Sequence, residues 1–575
     1  MSFARFIAFT TLLLTSAALL AEERLAAELF PPTTIAYAEI KDPAQLLSAV
    51  FDHPLREKIE SLEPYQRAFN HPNYKAFLAG RTLVENHIGM PWREALETLT
   101  AKGIYLGFDG ATEGAILLVH GKDAESISAL RDKLLALAGL GNNPDGIKEG
   151  EYRSVKVYDV GQAKLAVVED WVIVTNKPKS GMQTLDRLLD GTGGGLADNP
   201  KFQAAQQSRP DASTFWAYAD IATLRDVGVG KDLFSGKSQN PGIELLAGGI
   251  LSTLQHTPFA TANLHLSHSG LNVQFGVPHK SEWVPEVRKY FFGADGQGES
   301  PIALEAKETL FTLDTYRDFS EMWLRAGDLF DDSINDGFAQ ADATLTTFFS
   351  GKDFGEDILG AFQPEVSFIA TRHDFTNILP QPAIRLPQFA LVFKLREPET
   401  MTRELSRTYQ SLIGFLNVIG AMEGRPQFEM DMDKMDDGVQ LITAKYIPEG
   451  DDATSKDAAM MFNFSPSVGF AGERFVLAST DQLARELVSA KSSAKVGENV
   501  NTDVHLDVPV LKSVLNDNRE QLIARNMLEG GKNRDEAEST INMIMEVIDY
   551  FQDASIKLHA TTDQLNLNLD VRVKN

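Results

Sequence analysis

Four carboxylates recur at matching places along the chain. Glu39 closes Thr34-Ile-Ala-Tyr-Ala-Glu39, Asp314 closes Thr309-Leu-Phe-Thr-Leu-Asp314, Asp220 closes Phe215-Trp-Ala-Tyr-Ala-Asp220, and Asp507 closes Asp503-Val-His-Leu-Asp507. Each ends a strand-like run and precedes residues of helical pattern. Carboxylates converging from two lobes could hold a cation or divide the work of a general acid and a general base. Asp, and less often Glu, also accepts hydrogen bonds from the exposed N–H groups of a helix start. That capping role accounts for all four positions without any site.

Two further acidic stretches, Asp431-Met-Asp-Lys-Met-Asp-Asp-Gly438 and Asp328-Leu-Phe-Asp-Asp-Ser-Ile-Asn-Asp-Gly337, gather the oxygen ligands that a hard cation needs. Asp433 and Asp437 are the candidate ligands in the first. Counted as a calcium loop from Asp433, however, Met435 falls on a ligand position and Ala444 where a bidentate Glu would close the loop. A solvated hairpin turn is the simpler reading. His256, His265, His268 and His279 cluster in sequence, but on a strand His265 and His268 point to opposite faces and cannot form a two-ligand clip. There is no Gly-x-Ser-x-Gly elbow and no His-Glu-x-x-His helix. No cofactor is implied.

The elements that would carry these residues follow one pattern written twice. Ala115-Ile-Leu-Leu-Val, an acidic helix start and apolar positions Ile127, Leu130, Leu134 and Leu137 match Phe389-Ala-Leu-Val-Phe and Met401, Leu405, Tyr409, Leu412 and Leu416. Two hairpins with turns at Glu169-Asp170 and Gly472-Glu473 follow, and a helix with a long alternating hairpin closes each half. Between the halves, Gly293 to Pro301 has the composition of a linker. The expected organisation is residues 1–21 a signal peptide, 22–292 a first lobe, 293–301 a linker and 302–575 a second lobe repeating the first. The expected fold class is α+β: two tandem homologous lobes of mostly antiparallel sheet with helices layered on one face.

Arg5, the apolar stretch from Phe6 to about Leu20 and the small residues before Glu22 form the layout of a secretory signal peptide with cleavage after Ala21. The mature chain is then expected to be exported, periplasmic or extracellular, without a transmembrane anchor. With no Cys, it must be stabilised by burial and not by disulfides. Thiolate chemistry is excluded for the same reason. A net charge of −26 over 575 residues repels phosphate backbones, so nucleic acid is not an expected partner.

The start Tyr37-Ala-Glu-Ile-Lys-Asp-Pro43, the hairpin Val167-Val-Glu-Asp-Trp-Val-Ile-Val-Thr175 and the helix entry Asn199-Pro-Lys-Phe202 resemble a family of exported bacterial proteins defined by a domain of unknown function. The resemblance spans most of the mature chain and implies export, but it brings no activity and no site residue. Three functions stay open: a non-enzymatic binding or scaffold protein whose partner is a protein or a cell-envelope component, a hydrolase using carboxylates between the lobes, and a carrier of an apolar ligand.

Overall fold

The computed structural model describes residues 25–139, 147–191, 194–230, 237–349, 351–376, 378–434, 438–448, 450, 454–455, 457–493 and 497–574. Residues 1–21, read as a signal peptide, and Asp437 lie outside them. The chain divides into two compact units, the described parts of Met1–Ser48 with Ala68–Asp220 and those of Ala49–Arg67 with Ile221–Asn575.

The first unit carries β1 (Thr34–Ile40), β2 (Gly103–Asp109), β3 (Gly114–His120), β4 (Glu149–Tyr152), β5 (Val155–Val160), β6 (Ala163–Val168), β7 (Trp171–Thr175) and β8 (Phe215–Ala219). Their antiparallel neighbours run β8-β1-β2-β3-β7-β6-β5-β4. The second unit holds β9 (Ala260–Ser267), β10 (Gly270–Pro278), β11 (Thr309–Tyr316), β12 (Phe362–Thr371), β13 (Gln388–Leu395), β14 (Phe428–Lys434), β15 (Gln440–Tyr446), β16 (Ser467–Ala471), β17 (Arg474–Ala478), β18 (Val500–Asp507), β19 (Phe551–Ala560) and β20 (Gln564–Val573). Its order is β9-β10-β20-β19-β18-β11-β12-β13-β17-β16-β15-β14, again antiparallel. From β18 to β14 this order matches that of the first unit strand for strand. With its many helices, the fold is α+β.

Both central hairpins turn where the sequence places them. Val168 pairs with Trp171 around Glu169-Asp170, and Ala471 pairs with Arg474 around Gly472-Glu473. The first turn residue has positive φ in each, Glu169 at 54° and Gly472 at 55°.

Helices flank the second sheet on both faces at its β13–β15 end, not on one. Val476, Leu441 and Ala390 pack with Leu483, Ala484 and Leu487 of helix Asp481–Val488. The alternate residues Phe475, Ile442 and Phe470 pack with Leu405, Tyr409 and Ile413 of helix Pro398–Met422. The cause lies in β17, where Phe475 on one face and Val476 and Ala478 on the other are all apolar and buried, the mark of a strand packed on both sides.

The glycine-rich segment 293–301 lies inside the second unit, and the chain passes between units at Ser48/Ala49, Arg67/Ala68 and Asp220/Ile221. Its glycines answer to packing. A Cβ on Gly298 would stand 2.6 Å from the Tyr316 ring, and Gly293 has φ 80°. Asn501, fully buried, donates to the carbonyls of Phe291 and Gly298 and accepts from Arg317, while Ser300 N–H donates to the Val500 carbonyl. Such a segment is bolted down, unlike a solvated linker.

Candidate functional site

In the first unit Glu39 lies inside β1, not at a helix start. The capping carboxylate is Asp42, whose Oδ1 accepts from Gln45 N–H at 2.9 Å. Glu39 is buried, accepts from the Tyr37 hydroxyl at 2.7 Å and pairs with the Arg209 guanidinium, with Lys41 at 3.7 Å. Burial, then the neighbouring Glu39, holds the Tyr37 phenol well above its ordinary range. Asp220 receives Lys201 Nζ on both oxygens at 2.8 Å. Lys201 is presented by the helix entry Asn199-Pro-Lys-Phe202, in which the Asn199 side chain accepts from the N–H groups of Lys201 and Phe202. Register puts Glu39 opposite Trp216, while Asp220 follows the far end of β8. Four strand residues, about 13 Å, therefore separate them, and each is neutralised by its own cation.

In the second unit Asp507 does cap: its Oδ1 accepts from Val510 N–H at 2.9 Å. Asp314 does not. It lies within β11, and Asp318, four residues on, caps the next helix through Glu321 N–H. Asp314 is 3% exposed, accepts from the Ser367 hydroxyl, and stands directly opposite Asp503 of β18. Directly opposed side chains have Cβ atoms about 4.5–5.5 Å apart, and like charges there repel. Burial pushes the Asp314 carboxyl up to about 6 against the Ser367 hydrogen bond, and the Asp503 charge adds to the rise. Asp503 is joined to Lys557 of β19 at 3.1 Å. Over the pair lies a cavity of about 40 Å³ lined by Glu299, Ser300, Gly497 and Val500 among others. That is room for a water or two. A cleft of about 520 Å³ adjoins it, sharing Pro301 and Ile302 and bordered by Ser367, the Glu365–Lys394 ion pair and Arg474.

The pair belongs to a longer row. Reading straight across the strands, Asn263, Gln274, Asn568, Lys557, Asp503, Asp314 and Ser367 stand side by side on one face. Two residues along, His265, Asn272, Asp570, Ser555, His505 and Thr312 form a second row, in which the Asn272 amide donates to Asp570 at 2.6 Å. One residue along, on the opposite face, the row is Leu264, Val273, Leu569, Ile556, Val504 and Leu313. At one end of this apolar face Phe291, Phe292 and helix Pro241–Leu254 cover Leu558, Leu565 and Val277. Of the polar rows, Asn263, Asp314, Thr312 and Ser367 are buried and the others are half-buried.

The expected cation loop contributes less. Asp433 is ion-paired to Arg485, and among the described residues no group of three His, Cys, Asp or Glu is placed to hold a metal. The four histidines are likewise dispersed: His268 stacks on His53, and His279 is buried with its Nδ1 on the Thr253 hydroxyl. Asp503 is the residue that sequence reading missed. It stands in the same motif as Asp507, but only the pairing of β11 with β18 shows that it faces Asp314.

No family model matches the chain, and no curated protein matches it. Among solved structures it is similar to a protein designated TP0453. Crystal form III matches at a TM-score of 0.24 and 9% identity, covering 44% of this chain and 80% of that one. Crystal form IV gives 0.24 and 9%, covering 44% and 79%. A likeness of that size carries no functional argument. Among the described residues no helix is long and apolar enough to cross a membrane.

Proposed function

We propose that the chain is an exported, non-enzymatic binding protein built from two copies of one α+β unit, with the polar sheet face of the second unit as its ligand surface. What carries the reading is the half-buried row His265, Asn272, Asp570, Ser555 and His505, five hydrogen-bonding side chains on five adjacent strands, with Gln274 and Asn568 beside it. Amides, imidazoles, hydroxyls and carboxylates arrayed on a rigid sheet suit recognition of an extended polar partner, a protein or a cell-envelope component, through many oriented hydrogen bonds. Export rests on the signal-like start and on the family resemblance. The test is a thermal-shift screen of the mature chain against divalent cations, glycans and lipids, repeated on Asn272→Leu/Asn568→Leu. A response lost in the double variant supports the reading, and one that survives it contradicts it.

A hydrolase is the second reading, favoured by the opposed Asp314 and Asp503, one of them poised near neutral pH. Against it, the cavity over the pair is water-sized and Asp503 is committed to Lys557. Hydrolysis of any glycoside or peptide that disappears in both Asp314→Asn and Asp503→Asn would reverse the ranking.

A further inference from the structure

The outer edge of the second sheet lies far along the strand order from the polar rows. β14 ends that sheet, and among the described residues no strand pairs with its free side. The ladder with β15 fixes which backbone groups are already used. The Ile447 N–H donates to the Gln427 carbonyl, so Gln427 and every second residue after it, Glu429, Asp431 and Asp433, direct their backbone groups to β15. Those of Phe428, Met430, Met432 and Lys434 turn outward.

Only part of that edge is blunted. The Asn417 amide of helix Pro398–Met422 accepts from the Phe428 N–H at 2.7 Å and donates to the Phe428 carbonyl at 2.9 Å. Asp431 Oδ1 accepts from the Met432 N–H at 2.8 Å. Among the described residues no group bonds the Met430 N–H or carbonyl. An edge that presents such groups is a template for a further strand. β4, the corresponding edge of the first unit, is only four residues long, and its Glu149 is paired with Lys156.

The two faces of β14 set the chemistry of what can join it. Phe428, Met430 and Met432 share one face with Ile442 and Ala444 of β15, which pack against helix Pro398–Met422. The helix does not close over the two methionines, which are 42% and 48% exposed. Glu429, Asp431 and Asp433 take the opposite face. There Asp433 is joined to Arg485, and Asp481 to the neighbouring Lys445. The exposed Glu429 and Asp431 have no ion-pair partner among the described residues and leave that face with an excess of negative charge. A second copy of this chain does not suit it. Outward residues must pair with outward residues, so methionine would meet methionine and carboxylate would meet carboxylate, and like charges directly opposite one another destabilise a ladder.

We infer that β14 accepts an extended segment of a basic partner protein as an added strand, with apolar residues beside Met430 and Met432 and alternating Lys or Arg beside Glu429 and Asp431. A cation opposite Asp431 gives that carboxylate another partner and releases the Met432 N–H to the new ladder. The polar sheet face takes no part in this contact.

The test is fluorescence anisotropy of a labelled Lys-Val-Lys-Val-Lys-Val-Lys peptide titrated with the mature chain, beside a Lys-Lys-Lys-Lys-Val-Val-Val peptide of equal charge and composition. The alternating peptide is expected to bind at least about tenfold more tightly. Met430→Pro removes an outward N–H and spares the β14–β15 ladder, since proline is tolerated where the N–H of an edge strand faces solvent. It is expected to weaken binding at least about tenfold, while Asn272→Leu/Asn568→Leu on the polar face leaves binding unchanged. If Met430→Pro fails to fold, Glu429→Lys/Asp431→Lys, at two exposed positions, is expected to abolish binding of the alternating Lys peptide and to confer binding of Glu-Val-Glu-Val-Glu-Val-Glu. Equal binding of the two Lys peptides, binding unaltered in either folded edge variant, or binding lost in the asparagine double variant would overturn the site. Dimerisation in solution that Met430→Pro abolishes would give the edge to a second copy and overturn the partner.

Discussion

Replacing Asp314 by Asn should stabilise the protein at neutral pH. The carboxyl is 3% exposed and its folded value is raised from 3.8 to about 6. A group whose folded pKa is raised supports the fold fully below its unfolded pKa and loses that support as pH rises through the folded value. The window here is about pH 4 to 6, and the free energy involved is about 3 kcal/mol. Asn keeps an oxygen for the Ser367 hydroxyl and carries no charge against Asp503. The urea-unfolding free energies of Asp314→Asn and wild type should therefore agree within about 1 kcal/mol below pH 4 and diverge toward about 3 kcal/mol in favour of the variant above pH 6. The difference matters more than either curve. His279, lowered by burial from 6.5 to about 4, loses its contribution as pH falls through that interval, in the opposite sense, and cancels between the two proteins. A difference that stays flat with pH would refute the desolvated, charge-opposed placement of Asp314.

Other substitutions probe the framework. Glu244 and Arg288 form a buried bidentate pair at 2.6 and 2.9 Å that also takes up the Tyr290 hydroxyl, so Glu244→Gln should cost about 3–5 kcal/mol in unfolding experiments by stranding a guanidinium. Asn501→Ala removes one of the acceptors of Arg317 and the donor to Phe291 and Gly298, and should lower the melting temperature and raise proteolysis within residues 293–301. Phe202 meets Tyr37, Trp216 and Tyr218 edge-on, at centroid distances of 5.2–5.7 Å, and Phe202→Ala should cost about 3–5 kcal/mol in the first unit by the same assay.

Strands, hairpins and their order are legible in this sequence because period-2 alternation and turn residues are local signals. Leu565-Asn-Leu-Asn-Leu-Asp announces a strand with one wet face without help from any other segment. The opposition of Asp314 and Asp503 is not legible, since it depends on the register of two strands far apart in sequence, and a slip of one residue would turn either side chain to the other face. Two of the helix starts lie about one turn beyond the carboxylates that the sequence pattern points to. Asp42 and Asp318 cap where Glu39 and Asp314 seemed to, because a carboxylate inside a strand and one just beyond it look alike until the ladder is seen. Gly293 to Pro301 misled for a different reason: glycine admitted for a close approach to Tyr316 is indistinguishable by composition from glycine admitted for flexibility.

The central claim is that the polar sheet face of the second unit meets the partner, and hydroxyl-radical footprinting of the chain with and without a compound that shifts its melting temperature tests it directly. His265 on β9, and His505 and His559 on the adjacent β18 and β19, lie on that face. Their protection on binding, with His71 and His87 of the first unit unchanged, is the predicted result. Unaltered reactivity of all three beside protection elsewhere would contradict it.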